Sequence, residues 1–390
     1  MKRIYSGIEC LTQSPPKKWN GHRLGLLCNP ASINANFIHS SVLLDRCYPG
    51  QVRALFSPQH GYLAEKQDNM IESSNTADPV LHVPVFSLYG ETRIPTQEMF
   101  DLIDILFVDL QDVGTRVYTF MYTVSYCLEA AKKLNKKIII LDRPNPINGI
   151  DIEGNCLKSN CASFVGRYPI PMRHGLTLGE LALLFNEYFN IGCDLEIVLM
   201  KGWQRHMFFE DTGLPWVPPS PNIPSPKMCF FYPGQVLLEG TNISEGRGTS
   251  QPFEIFGAPY IRPEHSVSLL TPYPLPGIVL RPLGFEPTSN KWQGQLCKGF
   301  QIHVTDISQY RPYSTTLKLL SAIYADAPNA FSWKSPPYEY EHTRLPFDLI
   351  SGDTAIREAI ENHKNMDTVI DSWQDELNAY HQIAMSFYLY

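Results

Sequence analysis

Residues 239–249 hold the densest group of chemically capable side chains in the chain. These eleven residues include Glu239, Asn242, Glu245, Arg247 and three glycines. Carboxylates donate and accept protons, and a guanidinium binds anions through a planar fork of N–H groups. Polar loops set between core-forming segments commonly carry binding and catalytic residues. We therefore interpret this segment as part of a functional site, the alternative being a solvated loop with turn glycines.

Further carboxylates stand beside glycine in loops elsewhere in the chain. Glu91 follows Gly90, and Asp112 lies two residues before Gly114. Hydrolysis of a glycosidic bond generally uses two carboxyl groups, one of them kept protonated by an apolar setting. Glu91, Asp112 and Glu245 are candidates for such a pair. Asp112 has an alternative role as the cap of a following helix.

Basic side chains near the same loops favour an anionic ligand. Arg116, Arg173 and Arg247 each fall in a polar cluster, and ordinary ion pairing is the alternative explanation. His60 and His174 each precede a glycine, and we interpret them either as hydrogen-bond donors to a substrate or as buried structural residues. The spacing of the histidines matches no metal-binding motif, so we expect no metal.

These side chains must be positioned by a framework, and the first half of the chain predicts one. Short, wholly apolar runs alternate with helical spacing, which is typical of strands buried on both faces of a parallel sheet. The sequence therefore predicts an α/β fold with a doubly wound, mainly parallel sheet. The predicted strands are 24–28, 52–56, 83–88, 105–108, 137–141 and 195–200, and the predicted helices are 36–47, 96–103, one ending near 134, and 178–189.

Polar clusters follow the predicted strands at 57–61, 89–92, 109–116 and 142–146. In open α/β sheets, ligands bind at the edge formed by the carboxyl ends of the strands. No GxGxxG motif follows the first strand, and the chain contains no GxxxxGK[ST] sequence. The framework thus resembles that of a nucleotide-binding protein without its phosphate-binding loop. An enzyme acting on a phosphorylated or nucleotide ligand remains one interpretation.

Residues 216–226 contain five prolines, too many for a helix or a central strand. We interpret them as a rigid connector. Beyond it the sequence predicts a second, smaller α/β unit with helices at 230–238, 314–325, 354–362 and 366–385 and strands at 276–282 and 300–304. We expect an N-terminal domain over residues 1–228 and a C-terminal domain over 229–390, with the active-site cleft between them.

Composition and charge indicate which classes of binding partner and which cellular location to expect. The net charge is -7 with no basic stripe, so we expect no nucleic-acid partner. No apolar run approaches the roughly 20 residues that span a bilayer, so we expect no membrane partner. The nine cysteines include no CxxC pair and predict reduced thiols. With no apolar signal-peptide segment behind the basic N-terminal residues, we expect a cytoplasmic location. The oligomeric state stays open.

Six motifs taken together resemble the NamZ-type exo-β-N-acetylmuramidases, glycoside hydrolase family 171, over nearly the whole chain. The motifs are FSPQHG (56–61), SLYGETR (87–93), DLQDVGTRVYT (109–119), LDRPNP (141–146), RHGLTLGE (173–180) and the segment from EGTN (239–242) to GAP (257–259). The resemblance implies a Rossmann-like N-terminal domain and removal of β-1,4-linked N-acetylmuramic acid from the non-reducing end of peptidoglycan fragments. It also implies that no cofactor is needed.

The resemblance gives the candidate residues their expected roles. We expect Glu91 or Glu245 to be the acid and Asp112 to orient the substrate's acetamido group or a water molecule, with Gln59 and His60 beside them. The acetamido group itself could attack the anomeric carbon, as in substrate-assisted glycosidases. The expected substrate-binding residues are Arg116, Tyr118, Arg173, His174, Asn222, Glu239, Asn242 and Arg247, with the arginines near the lactyl carboxylate.

One position departs from the family pattern. The family commonly has Glu where this chain has Gln59, and that Glu is a leading candidate for the catalytic acid. An amide cannot release a proton in this role. Three alternatives follow: a weakened enzyme, an enzyme whose acid is Glu91 or Glu245, or a protein that binds muropeptide sugars without cleaving them.

Overall fold

The computed structural model describes residues 3–67, 70–270 and 273–390. Within these ranges the chain forms twelve strands and twelve α-helices. The strands are β1 (Leu24–Leu27), β2 (Val52–Ser57), β3 (Thr76–Ala77), β4 (Pro84–Ser87), β5 (Ile105–Val108), β6 (Lys137–Leu141), β7 (Glu153–Cys156), β8 (Pro171–Arg173), β9 (Asp194–Val198), β10 (Ile255–Ala258), β11 (Ile278–Phe285) and β12 (Cys297–Val304). The helices are α1 (Gly7–Gln13), α2 (Ser40–Cys47), α3 (Gln97–Asp101), α4 (Phe120–Lys133), α5 (Leu178–Leu183), α6 (Met228–Gln235), α7 (Pro263–Leu269), α8 (Pro312–Asp326), α9 (Pro346–Ser351), α10 (Thr354–Glu361), α11 (Met366–Asp371) and α12 (Gln374–Met385).

The large sheet has the order β3-β4-β2-β1-β5-β6-β9. All its neighbouring strands pair in parallel except β3, which pairs antiparallel with β4 at one edge. Without β3, the order is that of a Rossmann sheet, in which the chain winds outward in both directions from β1. The predicted doubly wound, mainly parallel sheet is therefore confirmed.

Alternate residues of the central strands bury against different layers. In β1, Leu24 and Leu26 pack in one apolar cluster with Ile8 of α1 and Leu44 of α2. Leu27 packs in a second and larger cluster, which contains the apolar face of α4. The strands are apolar on both faces because helices cover both sides of the sheet.

The chain after residue 228 forms an antiparallel sheet in the order β10-β12-β11 and the helices α6 to α12. The apolar cluster that covers one face of the large sheet continues into this region through Leu317 and Leu320 of α8. A second, smaller α/β unit was predicted here. The proposed boundary at residue 228 itself stays a prediction.

Three of the differences from the predicted elements have identifiable reasons. Helix α2 begins at Ser40 and not near 36, because the Asn34 side chain accepts the backbone N–H groups of Asn36 and Ile38 and holds a turn. The helix predicted over 366–385 is two helices, and the buried Trp373 lies at the break. The antiparallel pair β7 and β8 was missed because its short segments carry no alternating apolar pattern.

Side chains fill the crevice between the carboxyl ends of β1 and β5, where a Rossmann sheet usually binds its nucleotide. The buried Arg143 donates to Asp109 Oδ2 at 2.8 Å, and Ser40 hydrogen-bonds to the same carboxylate. Asn29 donates to the carbonyl oxygen of Pro219 at 2.9 Å and ties the proline-rich segment to this edge. These contacts leave no glycine-lined space for a phosphate at that point.

Both ends of the described chain meet at Asp142, directly after β6. The backbone N–H of Gly7 donates to the Asp142 carbonyl oxygen at 2.8 Å, and the Tyr390 hydroxyl donates to its carboxylate at 2.9 Å. Burial raises the pKa of Asp142 to about 7. Ile4 and Tyr390 pack in one small apolar cluster with Trp203.

Among the residues that the structure describes, none of the helices combines the length and hydropathy required of a transmembrane segment.

Candidate active site

A small cavity lies beside the filled crevice, between the carboxyl end of β2 and the segment that joins β5 to α4. It has a volume of about 30 Å³ and adjoins an outer groove of about 620 Å³, with Asn222 and Arg247 lining both. The cavity is lined by Gln59, His60, Val117, Tyr118, Thr119, Phe120, Val165, Ser220, Asn222, Ile223, Tyr232, Arg247, Phe253, Tyr338 and Glu339.

Gln59 is placed by the sharp turn that follows β2. His60 and Gly61 have φ values of 75° and 88°, so the chain reverses immediately after Gln59. The Gln59 Oε1 atom accepts a hydrogen bond of 2.6 Å from the Thr119 hydroxyl at the start of α4. Its Nε2 atom then donates to Glu339 Oε1 at 3.0 Å. Gln59 is thus held between two parts of the chain that are distant in sequence.

His60 is fixed by its own loop. The Nδ1 atom lies 2.7 Å from the carbonyl oxygen of Lys66. Since a carbonyl can only accept, Nδ1 carries the proton in this contact, which sets the orientation of the ring in the cavity wall.

Glu339 sits on a strained turn. Tyr338 and Glu341 exchange two backbone hydrogen bonds of 2.9 Å, and the residues between them, Glu339 and Tyr340, have φ values of 45° and 68°. Positive φ at both central positions is the geometry of a type I′ turn, which favours asparagine and glycine. Glutamate and tyrosine adopt it at a cost, and strain of this kind clusters at functional sites.

The carboxyl of Glu339 is almost fully buried, with 3% exposure. The Tyr89 hydroxyl donates to Oε2 at 2.6 Å, opposite the bond from Gln59 to Oε1. Burial, assisted by the negative charge of Glu239, raises the pKa of Glu339 to about 7, although the bonds from Tyr89 and Gln59 oppose the shift. A carboxyl group with this pKa can both release and take up a proton at neutral pH.

Arg247 supplies positive charge to the same cavity. Its Nη2 atom donates to Glu239 Oε1 at 2.7 Å, and its Nε atom lies 3.1 Å from Glu245 Oε1. The third nitrogen, Nη1, is buried and has no hydrogen-bond partner among the described residues. One guanidinium nitrogen is therefore left to receive a ligand oxygen.

Glu245 and Glu239 lie behind Arg247. Glu245 pairs with Lys291 Nζ at 2.8 Å, and Glu239 Oε2 accepts a bond of 2.8 Å from the Tyr338 hydroxyl. Burial alone would raise the pKa of Glu245, but the charges of Lys291 and Arg247 hold it below its usual value. The salt bridges to Lys291 and Arg247 thus favour the ionised form of Glu245, and its role as one of two candidate acids stays a prediction.

Glu91 and Asp112 also lie outside the cavity lining. Glu91 is exposed in the loop after β4. Asp112 is buried, accepts the backbone N–H of Gly114 at 2.6 Å, and lies 3.3 Å from His174 Nε2. Asp112 thus stabilises its own loop. The alternative prediction that it caps the following helix is wrong, because the N-cap residue of α4 is Thr119.

Two of the three predicted arginines bind the protein's own backbone. Arg116 is fully buried and donates to the carbonyl oxygens of Asn155, Ile170, Ile350 and Ser351. Arg173 donates to the carbonyl oxygen of Ile147 and contacts Asp151 at 3.2 Å. Asn242 is similarly engaged, with Tyr260 and Ala330. The structure does not bring these three residues to the cavity.

Of the expected residues, the structure therefore gathers Gln59, His60, Tyr118, Asn222 and Arg247 around one cavity. Sequence reasoning missed Glu339 and the contact that Tyr89 makes with it. The available signal was an acid flanked by two tyrosines directly after Pro336-Pro337. No group of His, Cys, Asp and Glu within the described ranges is arranged to hold a metal ion.

Comparisons with known proteins agree along the whole chain. Two family profiles match, "Exo-beta-N-acetylmuramidase NamZ, N-terminal" over residues 24–227 and "Exo-beta-N-acetylmuramidase NamZ, C-terminal" over residues 230–390. The chain is 42% identical over 388 residues to the peptidoglycan beta-N-acetylmuramidase NamZ of Bacillus subtilis (strain 168), covering 100% of this chain and 92% of that protein.

Two solved structures of DUF1343 family proteins from Bacteroides fragilis NCTC 9343 have a similar fold. One superposes with a TM-score of 0.89 at 34% identity, and the other with a TM-score of 0.78 at 28% identity. Each alignment covers 100% of this chain and 99% of the other.

Proposed function

The chain belongs to the NamZ family of exo-β-N-acetylmuramidases, and from this we propose that it releases N-acetylmuramic acid from the non-reducing end of peptidoglycan fragments. The observation that carries the proposal is the match of both family profiles, over residues 24–227 and 230–390. The non-catalytic sugar-binding alternative is not favoured. The cavity supports a hydrolase because a buried carboxyl that can give up its proton and an arginine with an unused nitrogen face the same space.

We propose that Arg247 Nη1 receives the lactyl carboxylate, the group by which N-acetylmuramic acid differs from N-acetylglucosamine. His60 and Asn222 are proposed to bind the sugar's polar groups, and Tyr118 lies against its ring. The groove of about 620 Å³ lies within the usual size range of small-molecule sites, whereas the inner cavity of about 30 Å³ has room for about one water molecule. A saccharide chain cannot run through such a constriction, which favours attack at a chain end.

Binding of the muramyl ring therefore has to widen the inner cavity.

We also propose the division into domains 1–228 and 229–390 with the cleft between them, which the boundary between the two family profiles supports. The proposed location is the cytoplasm, where the substrate is an imported wall fragment; the nine cysteines, all free thiols, suit a reducing compartment.

The test compares two disaccharides. The protein is incubated with N-acetylmuramyl-β-1,4-N-acetylglucosamine and with the corresponding N-acetylglucosamine disaccharide, and the free sugars are separated and quantified. We expect release from the first only. Substrate binding without release of N-acetylmuramic acid would contradict hydrolysis, and equal release from both disaccharides would contradict recognition of the lactyl group.

The Arg247→Lys variant tests that recognition directly. Lysine keeps the positive charge but lacks the planar pair of N–H donors of the guanidinium group. KM for the muramyl substrate should therefore rise by about tenfold or more. Arg53→Lys, at an exposed position of β2, is the matched control and should leave KM unchanged.

A further inference from the structure

We propose that Glu339 is the catalytic acid of this enzyme and that Gln59 is the positioning residue that holds it. This inference rests on the proposed muramidase function and assigns the proton donor within it. Position 59 carries an amide, which cannot release a proton, yet a carboxyl group lies 3.0 Å from it. Both side chains line the same cavity, so a proton source is present there.

The hydrogen bonds around Gln59 explain why an amide fits there. The Thr119 hydroxyl donates to Gln59 Oε1, so the Nε2 atom must face Glu339. A glutamate at position 59 would place two carboxyl groups in contact, and the like charges would drive one of them to keep a proton. The amide instead donates to Glu339 and leaves a single titrating carboxyl at this contact.

The backbone supports the same assignment. Both central residues of the 338–341 turn have positive φ although neither is glycine or asparagine. The turn directs the Glu339 carboxyl inward, where Tyr89 and Gln59 each bind one of its oxygens. A surface turn without a role would be expected to use the residues that fit this geometry without strain.

The other carboxylates that could act as the acid either form salt bridges or lie outside the cavity lining. Glu239 and Glu245 both bind Arg247, and Glu245 also binds Lys291. Glu91 is exposed and lies outside the cavity lining. Of the carboxyl groups discussed, Glu339 alone lines the cavity without a salt bridge among the described residues.

The step balances without a cofactor. The Glu339 O–H proton passes to the glycosidic oxygen as the C1–O bond breaks, and the remaining saccharide leaves as an alcohol. The substrate's acetamido oxygen forms a bond to C1 and gives an oxazolinium ion. Water then forms the new C1–O bond, the acetamido oxygen departs from C1, and one water proton returns to the Glu339 carboxylate. One water molecule is consumed, and the enzyme is regenerated.

Leaving-group dependence tests the assignment. Glu339→Gln is compared with the wild-type protein on the muramyl disaccharide, whose leaving alcohol needs a proton, and on 2,4-dinitrophenyl N-acetylmuramide, whose leaving phenolate does not. We expect kcat for the disaccharide to fall by roughly 100-fold to 10,000-fold, and kcat for the aryl glycoside to fall less than about tenfold. Glu358→Gln, the same substitution at an exposed position of α10, should change neither rate.

Equal losses on both substrates, or no loss on the disaccharide, would overturn the assignment. A second variant is independent of whether Glu339→Gln folds: Gln59→Glu removes the amide that donates to Glu339 and should lower disaccharide turnover, whereas a gain of more than about tenfold would identify position 59 as the missing acid. In the double variant, the carboxyl moved to position 59 should restore part of the disaccharide activity lost in Glu339→Gln. If the wild-type protein cleaves neither substrate, it is the muramidase function itself that fails.

Discussion

The carboxyl of Glu339 should set the alkaline limit of activity. The groups whose charges or hydrogen bonds act on it are Gln59, Tyr89, Arg93 and Glu239. With a pKa raised to about 7, the acid is protonated below that pH and ionised above it. In a pH profile, kcat/KM for the muramyl disaccharide should therefore fall roughly tenfold per unit above neutrality.

Arg93 gives the profile an internal check. Its positive charge lowers the pKa of Glu339, so Arg93→Met should move the alkaline limb to higher pH. A limb that stays at the same pH in this variant would show that another group controls it.

Glu245 should matter for stability and not for proton transfer. Glu245→Gln leaves the partly buried Lys291 and the buried Arg247 without one of their carboxylates, which should lower the free energy of unfolding by about 3 kcal/mol. Urea denaturation measures the change. The exposed Glu91→Gln is the control, with an expected change within about 0.5 kcal/mol, and similar midpoints for both variants would contradict the structural role.

Single residues were the hardest scale to predict. Gln59 and His60 were found because they follow an apolar strand, and Arg247 because its loop is dense in charge. Arg116 was predicted to bind substrate because the sequence does not show which acceptors an arginine will find. In the structure its guanidinium donates to four backbone carbonyl oxygens and not to a ligand carboxylate. Glu339 was missed because its turn follows no predicted strand and meets the site only through tertiary packing.

At the scale of elements, the parallel strands were predictable because burial on both faces leaves a continuous apolar run. The bounds of β5 and β6 match the predictions residue for residue. The strand β10 and the helix α9 were not predicted, since four to six residues carry too little periodicity. Loop contacts such as the Asn34 turn before α2 decide where a helix begins, and these depend on side-chain geometry.

Arg116 joins elements that are far apart in sequence. Its Nη1 atom donates to Asn155 in β7 and to Ile170, and its Nη2 atom donates to Ile350 and Ser351 at the end of α9. The single ammonium group of a lysine cannot donate to both pairs of carbonyl oxygens. Arg116→Lys should therefore leave buried carbonyls without a hydrogen bond and lower the free energy of unfolding by about 3 kcal/mol. Calorimetric melting measures the loss against the exposed Arg53→Lys, and an unchanged melting temperature would contradict this role.

At the scale of the whole molecule, the candidate site lies at the edge formed by the carboxyl ends of the parallel strands, where α/β proteins usually bind ligands. It is displaced along that edge from the usual crevice between β1 and β5. Asp109, Arg143 and Ser40 occupy the usual crevice, so the open space lies beside it, between the end of β2 and the segment before α4. The sequence predicted the edge because four polar clusters end the strands there. It did not predict the displacement, because only the folded chain shows which loops fill the crevice.

The meeting of the two chain ends at Asp142 has a topological consequence. Ile4 and Tyr390 share one apolar cluster, so a short Gly/Ser linker can join them covalently. A circular permutant opened at the exposed Pro49-Gly50 turn should fold with the wild-type circular-dichroism spectrum and keep hydrolysing the disaccharide. An insoluble or unfolded permutant would show that the order of synthesis matters. Retained hydrolysis would show that the order of the elements along the chain can change while the contacts of Gly7 and Tyr390 with Asp142 persist.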